Sequence, residues 1–199
     1  MGWFGPSRDE VWRLLSDEIG ADFAEGGFWK GSRVDAHVPP WTITLDTYNK
    51  SEGKHSHPYT RMRVPYLNPD GFRFKIYRKG PFTELGKLFG MQDIEVGDPD
   101  FDEAFVIQGN DEAKVKELLS SKSLRVHLSL QPRLHFQVKD DEGWFKPRFP
   151  EGVDELSFEI RGTLKDLDRL KNLFDLFVET LDQLCKIGAA SKVDPGFTL

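Results

Sequence analysis

The chain has one cysteine, Cys185, no apolar run approaching the ~20 residues that span a bilayer, and no glycine-rich phosphate loop. Each absence closes off a class. A lone thiol forms no intramolecular disulfide, which points to a reducing cytoplasm, and its place in an apolar helical stretch reads as a buried, inert side chain. The start at Met1 lacks the charged and apolar pattern of a secretory leader. Gly26-Gly27 is followed by neither a Lys-Ser/Thr pair nor further spaced glycines, and no Cys pair or H-E-x-x-H helix offers a zinc site. With 33 acids against 27 bases the net charge is -6, which argues against nucleic acid as a partner, because phosphate binding needs a clustered positive field.

What is present are folding signals. At 199 residues with 38% hydrophobic content, the chain is long enough to bury about 70% of its unfolded surface, so one compact domain over 1–199 is expected. Ser7-Arg8-Asp9-Glu10 is a capping box, followed by Val11, Trp12, Leu14, Leu15 and Ile19 at helical spacing and Gly20 as a terminator; this predicts a helix over 8–19. The period then changes to two. Trp41, Ile43 and Leu45, then Met62, Val64 and Tyr66, then Phe72, Phe74 and Ile76 alternate with polar residues as half-buried strands do. Asn68-Pro69-Asp70-Gly71 carries favoured type I turn residues and predicts a hairpin from Tyr59 to Lys79.

The second half uses the same signals. A short helix is expected over Phe82–Phe89, a strand at Phe105–Gln108, a helix capped by Asn110 through Leu119, strands around Phe136 and Phe158 joined by a turn at 140–143, and a long final helix started by Thr163 with Asp166 and running to Ile187. Leu167, Leu170, Phe174, Phe177, Leu181 and Leu184 line that helix. The stripe suits a core helix lying across a sheet, or the seam of a homodimer. DEAFVIQGNDEAKVKELL from Asp102 and DELSFEIRGTLKDLDRLKNLF from Asp154 share a strand-glycine-helix pattern, which convergent capping explains without duplication.

The segment 98–119, with Phe101, Phe105, Ile107, Gly109, Asp111 and Leu118-Leu119, resembles an uncharacterised bacterial family of domains of unknown function. The resemblance covers about a tenth of the chain and rests on structural residues. It implies a bacterial cytosolic α+β protein and carries no catalytic residue or cofactor with it.

Candidate chemistry is sparse. His55-Ser56-His57, in the polar loop expected from Asn49 to Pro58 with Asp46 nearby, offers two imidazoles but no third ligand at a recognised spacing. Asp98, Asp100 and Asp102 have calcium-loop spacing, yet Glu103 and Gly109 stand where that loop needs Gly and Glu, so the acids are expected to form a turn. His127 and His135 lack a nucleophile or carboxylate at a known spacing, and Asp154, Glu155 and Glu159 are an acid/base pair at chance level. Seven basic residues lie between Arg61 and Lys87, and eight acids with no base lie from Gln92 to Glu112. These blocks read as two mutually attracting, solvated surfaces. The strongest feature is the polar side of the predicted hairpin: Arg61, Arg63, Arg73 and Lys75 beside Tyr59 and Tyr77, groups suited to phosphate or carboxylate ligands.

These observations predict an α+β domain with a largely antiparallel, twisted sheet of six to eight strands, covered on one face by the N- and C-terminal helices. The expected function is non-enzymatic binding or protein interaction in the cytoplasm, without cofactor or membrane. The alternative is an enzyme or small-ligand protein acting on an anion through the basic face of the 59–79 hairpin.

Overall fold

The computed structural model of the chain describes residues 5–27, 31–80, 92–140 and 149–199. Helix α1 (Arg8–Ile19) forms through its capping box: Glu10 N donates to Ser7 Oγ at 3.2 Å and Ser7 N donates to Glu10 Oε2 at 2.7 Å. Two first-turn amides that have no helical acceptor are thereby satisfied. Gly20 closes the helix at φ 67°, in the left-handed region that a side chain disfavours. The Trp12 indole, fully buried, donates to the Leu164 carbonyl at 3.0 Å, so its single polar atom enters the core already bonded.

Among the described residues nine strands build one antiparallel sheet: β1 (Asp22–Ala24), β2 (Arg33–Val38), β3 (Trp41–Glu52), β4 (His55–Leu67), β5 (Phe74–Arg78), β6 (Gln92–Asp93), β7 (Phe105–Gly109), β8 (His135–Lys139) and β9 (Val153–Arg161). Their spatial order is β1-β2-β3-β4-β9-β8-β5-β7-β6. The count exceeds six to eight because β1 and β6 hold three and two residues, too few for alternation to register. Among the described residues the further helices are α2 (Pro99–Ala104), α3 (Glu112–Leu118), α4 (Lys122–Ser129) and, after the last strand, α5 (Leu167–Lys186).

One face of the sheet meets the helices. Ile43, Leu45, Met62, Val64, Ile76, Phe136 and Phe158 join Leu15, Leu118, Leu128, Leu170, Phe174 and Phe177 in one apolar cluster. The α+β class and one-sided helical cover agree with the sequence reading, with α2, α3 and α4 added to the expected terminal helices. The stripe on α5 is buried within the chain, so it is a core element and not an open seam. Cys185 is only partly buried, against expectation, and burial still raises its thiol pKa, which keeps it a poor nucleophile at neutral pH.

The hairpin from Tyr59 to Lys79 does not form. The turn at 68–71 is there, with Gly71 at φ 67° and Asp70 Oδ1 accepting from Phe72 N at 3.1 Å. Yet β4 pairs with β3 and β9, while β5 pairs with β7 and β8. The register of β9 runs along β4 from Thr60↔Ile160 to Leu67↔Val153, a longer ladder than five-residue β5 can offer. Asn68 itself serves β9: its N donates to the Gly152 carbonyl at 2.8 Å and its Nδ2 to Asp154 at 2.6 Å. A favourable turn therefore carries the chain over β9 and β8 instead of back along β4.

Three smaller expectations change. The stretch from Asn49 to Pro58 is not a loop; β3 and β4 continue through it as a hairpin, with Gly53-Lys54 between the paired Glu52 and His55. Both faces are polar there, so no apolar alternation marks it. The acids after Asp98 form α2 instead of a bare turn: Asp98 caps it and Asp102 accepts from Val96 N and Gly97 N. Asp111, not Asn110, caps α3, because Asn110 bonds Arg73 N and the Gly71 carbonyl, and Asp166, not Thr163, caps α5 by accepting from Arg169 N. The helix expected at Phe82–Phe89 and most of the turn at 140–143 lie outside the described residues.

Candidate functional site

Alternation sends a second set of side chains to the face of the sheet that the helices leave uncovered. From β3 come Thr44, Asp46, Tyr48 and Lys50; from β4 Tyr59, Arg61 and Arg63; from β9 Glu155, Ser157 and Glu159; from β8 His135, Gln137 and Lys139; and from β5 Lys75 and Tyr77. At the centre lies a groove of about 660 Å³ lined by Tyr48, Lys50, Arg61, Arg63, Lys139, Glu155 and Glu159, among others.

Two carboxylates organise this groove. Asp46, directly opposite Arg61 in the ladder, accepts a forked pair from its guanidinium at 2.5 and 3.0 Å, and a further bond from Arg63 Nη2 at 3.0 Å. Arg63 also reaches Glu155 at 3.4 Å, and both of these side chains are buried. A buried ion pair is weak evidence for stability, but removing one partner is costly, so this pair fixes the groove floor. Arg61 lies over the Tyr48 ring at 4.7 Å and Lys50 over Tyr59 at 5.1 Å, the cation-aromatic packing that holds long side chains in place.

Glu159 is the second organiser. Its Oε2 accepts from the Tyr48 hydroxyl at 2.9 Å and lies 3.8 Å from Lys139 Nζ, while its Oε1 lies 3.3 Å from Lys50 Nζ and 3.7 Å from His135 Nδ1. Burial alone would raise its pKa, but Lys139, the tyrosine bond, Lys50 and His135 together hold the carboxyl below its ordinary range. Burial pushes the Tyr48 hydroxyl up, with Glu159 adding to the effect. The His135 ring is driven down to about 4 by burial and by Lys75, against the pull of Glu159, so it is neutral at physiological pH.

The expected basic set is therefore divided. Tyr59, Arg61 and Arg63 share the groove. Lys75 and Tyr77 lie on β5, three strand spacings or about 14 Å across the sheet, where a hairpin would have placed them next to β4. Arg73 is further removed, bonded to Asp140 at 2.7 Å and 3.5 Å from Asp154. The acidic run from Asp93 to Glu112 is not the partner of these arginines in the ion pairs above; Asp98 pairs with Arg125 and Asp93 accepts from Gln108. Lys50, Lys139 and Glu159 complete the groove, and sequence reasoning did not connect them because no window contains three strands that meet only in the sheet.

His57 and His127 are held in hydrogen bonds within the fold. His57 Nε2 accepts from Arg161 at 2.8 Å, and His127 Nδ1 from Asn172 Nδ2 at 2.6 Å. His55 and His57 stack at 6.2 Å between centroids, and no group of three or more metal-ligating side chains occurs among the described residues. One row went unnoticed in the sequence: Thr42 Oγ1 lies 3.0 Å from His37 Nδ1, whose Nε2 lies 3.0 Å from Asp22 Oδ2. The order is that of nucleophile, base and orienting acid. It is wet, however, with the His37 and Asp22 side chains 59% and 80% exposed, so water competes for each bond.

Among the described residues no helix is long and apolar enough to cross a membrane. No family model matches the chain, and no curated protein matches it. Among solved structures, the mycobacterial trehalose monomycolate transport factor A, TtfA, is similar at a TM-score of 0.55 and 6% identity, over 89% of this chain and 94% of that one; the likeness is one of fold.

Proposed function

We propose that the chain is a non-enzymatic binding protein that holds a small anionic ligand in the β3-β4-β9-β8 groove. One observation carries this reading. The groove presents four cations, Lys50, Arg61, Arg63 and Lys139, against three carboxylates, Asp46, Glu155 and Glu159, an excess of one positive charge in a volume suited to a small molecule. The excess positive charge sits between tyrosine rings on a rigid sheet, while the protein as a whole is acidic. Such a site concentrates anions locally even where the net charge repels them. By its description the similar fold belongs to a transport factor, a role that agrees with binding and identifies no ligand here. The reading places the protein in a bacterial cytosol on the strength of its lone thiol and of the resemblance at 98–119.

The test is a titration of isotope-labelled protein with inorganic phosphate and with malonate, followed by amide shifts. Residues 48–51 and 155–159 should move, and the apparent affinity should fall as salt is raised. Shifts that are absent from these strands, or that survive Lys50→Ala together with Lys139→Ala, reject the groove.

A second reading, an acyl hydrolase, has the Thr42–His37–Asp22 row behind it. Turnover of a p-nitrophenyl ester that disappears in Thr42→Val would establish it; turnover unchanged in that variant removes it.

A further inference from the structure

We propose that Glu159 is a built-in competitor of the ligand, a carboxylate that engages the same two lysines, Lys50 and Lys139, that the ligand's own oxyanion takes when it binds. The proposal rests on the anion-groove reading above and concerns how that groove selects. The observation is the way four neighbouring groups divide between the two oxygens. Oε1 faces Lys50 and His135, and Oε2 faces Tyr48 and Lys139, so each oxygen has one ammonium and one ring donor or ring nitrogen. A carboxylate or phosphate offers the same pair of oxygens.

The bonds are also unequal in a way that permits exchange. The two lysine contacts, at 3.3 and 3.8 Å, are longer than the tyrosine bond at 2.9 Å, and the lysine side chains are 45% and 30% exposed. Pairs of this kind are individually weak and their long stems move easily. Glu159 itself is held low on the sheet by Tyr48, so the lysines can swing to an incoming anion while the carboxylate keeps its shortest bond. Groups at the floor behave differently: Arg63 and Glu155 are buried and do not reorganise on the same scale. Specificity then favours ligands with two adjacent ionised oxygens over singly charged ones, because a weaker anion cannot displace the resident carboxylate from both lysines.

Two variants separate competition from simple charge. Glu159→Asp keeps the negative charge but withdraws it by one methylene from Lys50 and Lys139; Glu159→Gln removes the charge. In the phosphate and malonate titrations both variants should bind at least about threefold more tightly than the parent chain, the scale expected when exposed ion pairs are relieved. Tightening in Glu159→Gln with no change in Glu159→Asp would mean a long-range charge effect and overturn the competitor role while leaving the groove as the site. Weaker binding by both would make Glu159 a ligand-holding or structural group and also overturn it. A parent chain without response whose Glu159→Asp variant binds supports the competitor role in its strongest form. If none of the three responds, the groove reading and this one fall together. Amide dispersion in the same spectra verifies that each variant is folded.

Discussion

The Tyr48 hydroxyl on β3 donates to Glu159 on β9 at 2.9 Å, reaching over the intervening strand β4. That single bond ties three strands on the polar face. Replacing Tyr48 by Phe removes one of the interactions that hold the Glu159 carboxyl below its ordinary range, so its pKa should move up. The cost in stability should be about 1 to 2 kcal/mol, the scale of a hydrogen bond to a charged group at a part-buried site. Denaturant unfolding and carboxyl-resolved NMR titration measure the two effects, and an unmoved Glu159 would show that the lysines alone set its charge.

Gly109 is required by contact instead of by backbone angle. A Cβ built there would lie 2.5 Å from Val115 Cγ2 and 3.3 Å from the Arg73 carbonyl, so α3 could not pack so closely against the end of β7. Gly109→Ala should cost about 1 to 3 kcal/mol through overpacking. Adding Val115→Ala should recover part of that loss; a double variant no more stable than the single one would place the conflict at the Arg73 carbonyl.

Phe174 and Phe177 anchor α5 on the sheet, Phe177 meeting Phe136 edge-on at 5.4 Å between centroids. Truncating Phe174 to Ala should cost about 3 to 5 kcal/mol from lost transfer energy and the cavity left behind. A loss below about 1 kcal/mol in chemical denaturation would contradict its place in the core.

His135 gives stability a pH dependence of definite sign. An unfolded histidine titrates at about 6.5, and the folded ring is driven down to about 4. Between these values the unfolded chain binds the extra proton, so this contribution is fully present above pH 6.5 and is lost as pH falls towards 4. Because the side chain is about a third exposed, solvent screening should reduce the loss to about 1 to 2 kcal/mol. Comparing unfolding at pH 7 and pH 4.5, the parent chain should lose more than His135→Asn by that margin. Equal losses in both proteins would assign the acid sensitivity to carboxylates held below their ordinary range in the fold, such as Glu159, which must be protonated as pH falls.

The segment 98–119 shows why its motif speaks of structure and not of chemistry. Phe101, Phe105, Ile107, Leu118 and Leu119 are core residues, Gly109 admits Val115, and Asp111 caps α3. Each quoted position has a packing or capping task.

What the sequence determined by itself are the features whose partners lie a few residues apart. The capping box at Ser7 and Glu10, the turn at 68–71 and the division of the core strands into an apolar and a polar face all follow from local bonds and from the two-residue period. The tertiary structure decided which strands meet. The turn at Asn68 favours a neighbour that is next in sequence, but β9, whose residues lie some ninety positions away, offers β4 a longer ladder, and the summed hydrogen bonds and packed side chains of that ladder outweigh one turn. The same choice brought Asp46, Arg63 and Glu155 together, and Lys50 and Lys139 to Glu159. No local window holds that information, because a sheet face is assembled from strands whose order depends on the energy of the whole ladder set.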